Sequence, residues 1–169
     1  KLVFLDEAGS NIAMTREFAR SESGERAHDK VPRNRGDVTS MLGALSLKGL
    51  TAMMTVDGGT SADVFKVFVE QVLTPTLPPG AIVVMDNAGA HKATRVLEAF
   101  AAAGVEVRFL PPYSPELNPI ELAWAKLKRL LKDAKARTRE ALDAAIGAIA
   151  DAISPSDACG WFRHCGYRS

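Results

Sequence analysis

The sequence predicts an α/β domain: a mixed sheet of five strands flanked by helices. Three observations predict it. Two apolar runs, residues 2–5 and 81–85, each stop at an aspartate, the pattern of strands buried within a sheet. Two further β-compatible runs, residues 41–47 and 50–56, flank Lys48-Gly49, a tight hairpin signal that makes them antiparallel. From residue 61 onward helical and strand patterns alternate, and a helix that crosses between strands forces those strands parallel.

Strand one, residues 2–5, delivers Asp6 and is expected to stop in a turn at Asp6-Glu7-Ala8-Gly9. Residues 8–40 are polar and aperiodic, an insertion long enough to be functional or mobile. After the hairpin, Ser61 is placed to cap a helix whose apolar face is Val64, Phe65, Phe68, Val69 and Val72 and which runs until Pro75. Pro78-Pro79-Gly80 then leads into strand four, which delivers Asp86. Val96, Leu97, Phe100 and Ala101 mark a second helix, stopped by Gly104, and residues 105–110 alternate as strand five. Pro111-Pro112-Tyr113-Ser114-Pro115 forms a rigid linker. Asn118 can cap the next helix, with Pro119 in its first turn, Ile120, Trp124, Leu127 and Leu131 on one face, and Glu121 aboard. Leu142, Ala145, Ile146, Ile149 and Ile153 define a further helix, and Ser154-Pro155 opens a last short one.

With 169 residues, 47% hydrophobic and 24% charged, the chain fits one domain with its own core. No apolar run approaches the ~18 to 20 residues of a membrane span, so no membrane partner and a cytoplasmic location are expected. Cys159 and Cys165 are too few for a disulfide framework or a four-ligand zinc site. The net charge of +1 does not by itself announce a nucleic-acid binder. Its distribution says more: Lys126, Lys128, Arg129, Lys132, Lys135, Arg137 and Arg139 stand against one acid, Asp133, a stripe that can meet phosphates or simply face solvent. The chain opens at Lys1, directly in a strand pattern, so an earlier segment is expected in the natural protein.

This order of elements is that of a ribonuclease H-like fold, in which strand one lies beside and parallel to strand four, about 4.8 Å away. Asp6 and Asp86 would then emerge together at the carboxyl ends of the strands, where open α/β sheets bind ligands. Two carboxylates so close repel unless a cation or proton lies between them, and hard divalent ions favour oxygen ligands, which points to Mg²⁺. With a third carboxylate such a site holds two ions and carries out in-line phosphoryl displacement. Each acid also has a plainer reading. Aspartates often serve turns after strands, and Glu121 stands three residues after Asn118, the spacing of a capping box.

Three blocks narrow the choice: Phe4-Leu5-Asp6-Glu7; Val84-Met85-Asp86-Asn87-Ala88 with His91; and Tyr113-Ser114-Pro115-Glu116-Leu117-Asn118-Pro119-Ile120-Glu121 with Trp124. They resemble the catalytic blocks of mariner-superfamily DDE transposases of the bacterial insertion-sequence type, and the resemblance extends over nearly the whole chain. The thirty-four residues between Asp86 and Glu121 match the spacing of that superfamily.

The resemblance implies a cut-and-paste enzyme in which Asp6, Asp86 and Glu121 hold two Mg²⁺ ions, with Mn²⁺ able to substitute. It implies double-stranded DNA partners, both element ends and a TA target, and a homodimeric active complex. Asn87 and His91 would support the acids, while Lys126, Lys128, Arg129, Lys132, Arg33 and Arg35 would contact DNA. The arginine-bearing end of the 8–40 insertion would act as an arm ordered by DNA or by a partner subunit. The helix-turn-helix modules usual in the family are absent from this stretch. A hydrolytic ribonuclease H-like nuclease and an inactive DNA-binding remnant are the alternatives.

Overall fold

The structure, a computed structural model, describes residues 1–168. Its sheet has five strands: β1 (Leu2–Ser10), β2 (Thr39–Ser46), β3 (Gly49–Asp57), β4 (Ile82–Met85) and β5 (Glu106–Phe109). They lie in the order β3-β2-β1-β4-β5. β1, β2 and β3 are antiparallel neighbours, whereas β4 runs parallel to both β1 and β5, so the sheet is mixed as expected. Five α-helices flank it: α1 (Ala62–Val67), α2 (Thr94–Ala102), α3 (Pro119–Ala134), α4 (Arg139–Asp151) and α5 (Pro155–His164). Among the described residues no helix is long and apolar enough to cross a membrane.

Because strand side chains alternate between faces, β1 supplies two cores at once. Phe4 and Ala8 pack with Ile120, Trp124, Leu127, Leu142, Ile146 and Phe162 under α3, α4 and α5. Val3 and Leu5 pack with Phe65, Phe68, Val96 and Phe100 under α1 and α2. Phe4 is the pivot of the first core, meeting Phe162 edge-on at 5.2 Å and Tyr167 at 4.9 Å, the arrangement that ring quadrupoles favour.

The end of the first strand needs correction. The first strand does not turn at Asp6. It continues to Ser10 because β2 remains beside it, pairing Asp6 with Gly43 and Ser10 with Thr39, long after β4 has ended at Met85. The polar ends of these strands disguised them as loop; they are buried because Ser10 Oγ donates to the Thr39 carbonyl (3.2 Å) and Ser40 Oγ to that of Gly58 (2.5 Å). The insertion therefore covers residues 11–38. The helix after Ser61 runs to Thr76, as its spacing predicts, but is not uniform. It is α-helical only to Val67, widens into a π-helical turn over Phe68–Leu73 and tightens at Thr74–Thr76. Pro75 has no N–H with which to continue an α ladder, and Thr74 places both its N–H and its hydroxyl on the Val69 carbonyl.

The insertion lies along the C-terminal end of α3. Arg16 pairs with Asp133, Glu17 with Lys132 and Asp29 with Lys135. Arg137, in the α3–α4 connection, donates to the carbonyls of Ile12 and Met14 at 2.9 Å and to Thr15 Oγ1 at 2.8 Å.

Candidate active site

β1 and β4 stay in register up to Leu5 opposite Met85, so Asp6 and Asp86 are the next residues on two adjacent parallel strands. Their surroundings then diverge. Asp6 is still inside a strand and is buried, on the same face as Phe4 and Ala8, beneath α3. Asp86 has left its strand, and its side chain is half-exposed. Glu121 is exposed in the first turn of α3, where a carboxylate is favoured by the partial positive charge of the helix N-terminus.

Burial is the main force that pushes the Asp6 carboxyl up to about 7; the backbone N–H of Glu7 opposes it, while the charges of Glu121 and Asp86 raise it further. Trp124 acts in the opposite direction by turning its indole N–H toward Asp6. The buried Nε1 makes no well-formed hydrogen bond, so this is an electrostatic approach rather than a closed contact. Trp124 can lie there because the residue opposite Asp6 is Gly43: a Cβ at position 43 would stand 2.6 Å from the indole Cη2. Gly43→Ala is therefore expected to push the ring off Asp6 and to cost about 1–3 kcal/mol, the scale of an overpacked core. A urea melt followed by tryptophan fluorescence measures this; an unchanged midpoint would mean that the ring is not wedged on Gly43.

Asp86 is oriented through one oxygen. Its Oδ1 accepts the Ala88 N–H at 2.9 Å and stands 2.6 Å from Nδ1 of His91. The His91 approach is short but off-line, so neither ring nitrogen makes a well-formed hydrogen bond. The imidazole is completely buried and packs 4.6 Å from the Phe65 ring, which ties the Asp86 loop to α1. Asn87 makes its contact with the backbone just past β5. Its Nδ2 donates to the Leu110 carbonyl at 2.6 Å, bracing the end of β4 against the segment after β5.

Asp86, Asn87, Asn118 and Glu121, with Tyr113 and Pro111, line a cavity of about 370 Å³. The Asn118 side chain does not cap α3; only its carbonyl receives the Glu121 N–H, at 3.1 Å. Its buried Oδ1 has no partner. The capping box that the sequence allows for Glu121 is thus not formed, and a capping box closes instead at Ser154 and Asp157, before α5. Among the described residues no three carboxylate, imidazole or thiol groups stand close enough to hold an ion between them as they lie. The donor set nonetheless fits a hard cation: three carboxylates approach from β1, β4 and α3, and the buried one lacks the positive charge that would offset its neighbours.

The basic residues divide. Lys126 pairs with Asp157 at 2.6 Å, and Lys132 is engaged by Glu17. Lys128 is half-buried and Arg129 exposed, both on α3, while Arg33 and Arg35 are exposed in the insertion. The sequence pattern had not singled out Gly43, Asn118 Oδ1 or the N–H of Trp124 as parts of the site. A glycine inside a strand, which often marks a close approach, was the one available signal.

The fold is also that of known proteins. The chain superposes on the Mos1 pre-cleavage transpososome with a TM-score of 0.77 at 19% identity, covering 97% of this chain and 51% of that one. For the Mos1 strand transfer complex the values are 0.71, 20%, 97% and 50%. For the Mos1 transposase catalytic domain with Raltegravir and Mg they are 0.74, 16%, 97% and 77%. The shared architecture is ribonuclease H-like. The chain spans about half the length of the Mos1 chains in the two complexes. No curated protein sequence matches it. A family model for the DDE superfamily endonuclease matches residues 1–143, and with most of its length so matched the chain belongs to that family.

Proposed function

We propose that this chain is the catalytic domain of a cut-and-paste DNA transposase, which cleaves the ends of a mobile element and joins them to target DNA, with TA as the target dinucleotide. What supports the reading is the placement of Asp6 within β1, Asp86 just past the end of the adjacent β4 and Glu121 in the first turn of α3, with the charges of Glu121 and Asp86 acting on the Asp6 carboxyl, in a family of DDE endonucleases. Two Mg²⁺ ions, or Mn²⁺ in their place, would be held by these three carboxylates. When bound, they supply Lewis acidity at the attacking and leaving oxygens of an in-line phosphoryl displacement.

The chain's own residues determine where that happens. Asp6 is fixed within a strand beneath Trp124 and is the most buried of the three carboxylates. Asp86 Oδ1 accepts the Ala88 N–H and lies against the His91 ring, so Oδ2 is the oxygen that neither of them takes. Glu121 reaches the cleft from the first turn of α3, free of capping duty. Lys128 and Arg129, with Arg33 and Arg35 on the arm, would meet the DNA backbone; Lys132 would join them by exchanging Glu17 for a phosphate. The active complex would be a homodimer on double-stranded DNA.

The full-length protein tests this reading. Given a duplex carrying an element end already cut to a 3′ hydroxyl, a transposase joins that end to a second DNA in Mg²⁺. A purely hydrolytic nuclease yields only shortened strands, and that product pattern would overturn the strand-transfer reading.

A further inference from the structure

We propose that Tyr113 is a stacking platform for an unpaired nucleobase beside the phosphodiester at the acidic cleft; this rests on the DNA-cleaving function above and deepens it. Tyr113 is the most exposed large hydrophobic side chain among the described residues, at 101% relative exposure. Its backbone has φ 56°, in the left-handed region where a bulky side chain is unfavourable and glycine or asparagine would be comfortable. The ring therefore contributes nothing to the core, and its position carries a conformational cost. Residues held in this way cluster at ligand sites.

The mount is firm. At one end the Leu110 N–H donates to the Met85 carbonyl at 2.8 Å, and the Leu110 carbonyl accepts Asn87. At the other end the Tyr167 hydroxyl donates to the Leu117 carbonyl at 2.7 Å. Between these anchors, prolines at 111, 112 and 115 limit the backbone, and the Leu117 N–H closes a turn on the Ser114 carbonyl at 3.1 Å. A rigid loop thus presents an aromatic face at the rim of the same cavity that Asp86 and Glu121 line.

The ligand class follows from chemistry. The cleft walls are acidic, so a polyanion gains nothing from them without cations, whereas a neutral ring can hold the flat face of a base independently of charge. In an intact duplex both faces of a base are covered by its neighbours. A face is free only at a strand end or at a nucleotide turned out of the stack, and a cavity of about 370 Å³ suits a single nucleotide rather than a duplex.

Two DNA probes of the same sequence test the proposal with the whole chain in Mg²⁺: a blunt duplex, and a duplex with a three-nucleotide 3′ overhang carrying 2-aminopurine. Tyr113→Ala is expected to weaken binding of the overhang probe about tenfold and to abolish quenching of its fluorophore, while binding of the blunt probe changes less than twofold. Tyr113→Phe should behave as the wild type, because stacking does not need the hydroxyl. Tyr113→Gly should lose the overhang preference yet melt no lower than the wild type, since glycine relieves the backbone. The platform is overturned if Tyr113→Ala binds and quenches the overhang probe as the wild type does, or if no chain binds it. Mg²⁺-dependent nicking by the full-length wild type, assayed separately, decides the parent reading: quenching that depends on Tyr113 without nicking by the full-length protein would keep the platform and remove the cleavage function.

Discussion

Asp6→Asn is expected to abolish metal-dependent cleavage and, in the same preparation, to raise the stability of the metal-free chain. Both effects come from the same placement. The carboxyl is buried on the α3 face of the sheet with Glu121 and Asp86 as charged neighbours, and its ordinary value near 3.8 is pushed to about 7. A folded-state value above the unfolded one means that the ionised form is disfavoured by folding: the penalty is absent below about pH 4, grows through about pH 7 and is complete above it. At pH 8 the neutral amide should therefore stabilise the metal-free fold by on the order of 1–3 kcal/mol, a rise of several degrees in melting temperature. The amide oxygen can still accept the Glu7 N–H that the carboxylate uses. Adding Mg²⁺ should then raise the melting temperature of the wild type by mass action and leave Asp6→Asn unmoved. A variant that melts below the wild type at pH 8 without metal, or that gains as much from Mg²⁺, would show that Asp6 is a structural residue and not an electrostatically costly ligand.

The sheet was legible in the sequence wherever apolar periodicity was unbroken. The hairpin, both parallel strands and the start of α3 follow from it, and with them the adjacency of Asp6 and Asp86. It failed where polar residues are held by partners distant in sequence. Gly9, Ser10, Thr39 and Ser40 look like loop residues, but they form the far end of the β1–β2 ladder because each strand gives the other its hydrogen bonds. The site divides in the same way. Identity and spacing pointed to three acids, but they could not reveal that His91 is wholly buried against Phe65 while touching Asp86, since those residues belong to different elements. Nor could charge counting assign the basic stripe. Lys126 belongs to the start of α5 through Asp157, whose carboxyl it and Ser154 hold down at about 2, and Lys132 and Lys135 are met by acids from the insertion.

Glu121→Gln separates the two jobs that the sequence left open for this residue. Had Asn118 and Glu121 formed a capping box, each would have satisfied an orphan N–H, and loss of the box would cost about 1 kcal/mol. In the structure the Asn118 side chain caps nothing and Glu121 is solvent-exposed, so the helix start rests on Pro119 and the Asn118 carbonyl instead. Glutamine keeps the length and the polar end of glutamate but not the negative charge that a hard cation requires. The melting temperature should then stay within the shift produced by ~0.5 kcal/mol, the usual range for an exposed substitution. Cleavage of element ends by the full-length protein in Mg²⁺ should fall at least about a hundredfold, since even a displacement of ~1 Å in a catalytic group costs about that much. The pairing of results is what discriminates. A stable, inactive variant places Glu121 among the metal-holding acids, whereas cleavage within a few-fold of wild type would leave Asp6 and Asp86 without a third carboxylate and end the three-acid mechanism.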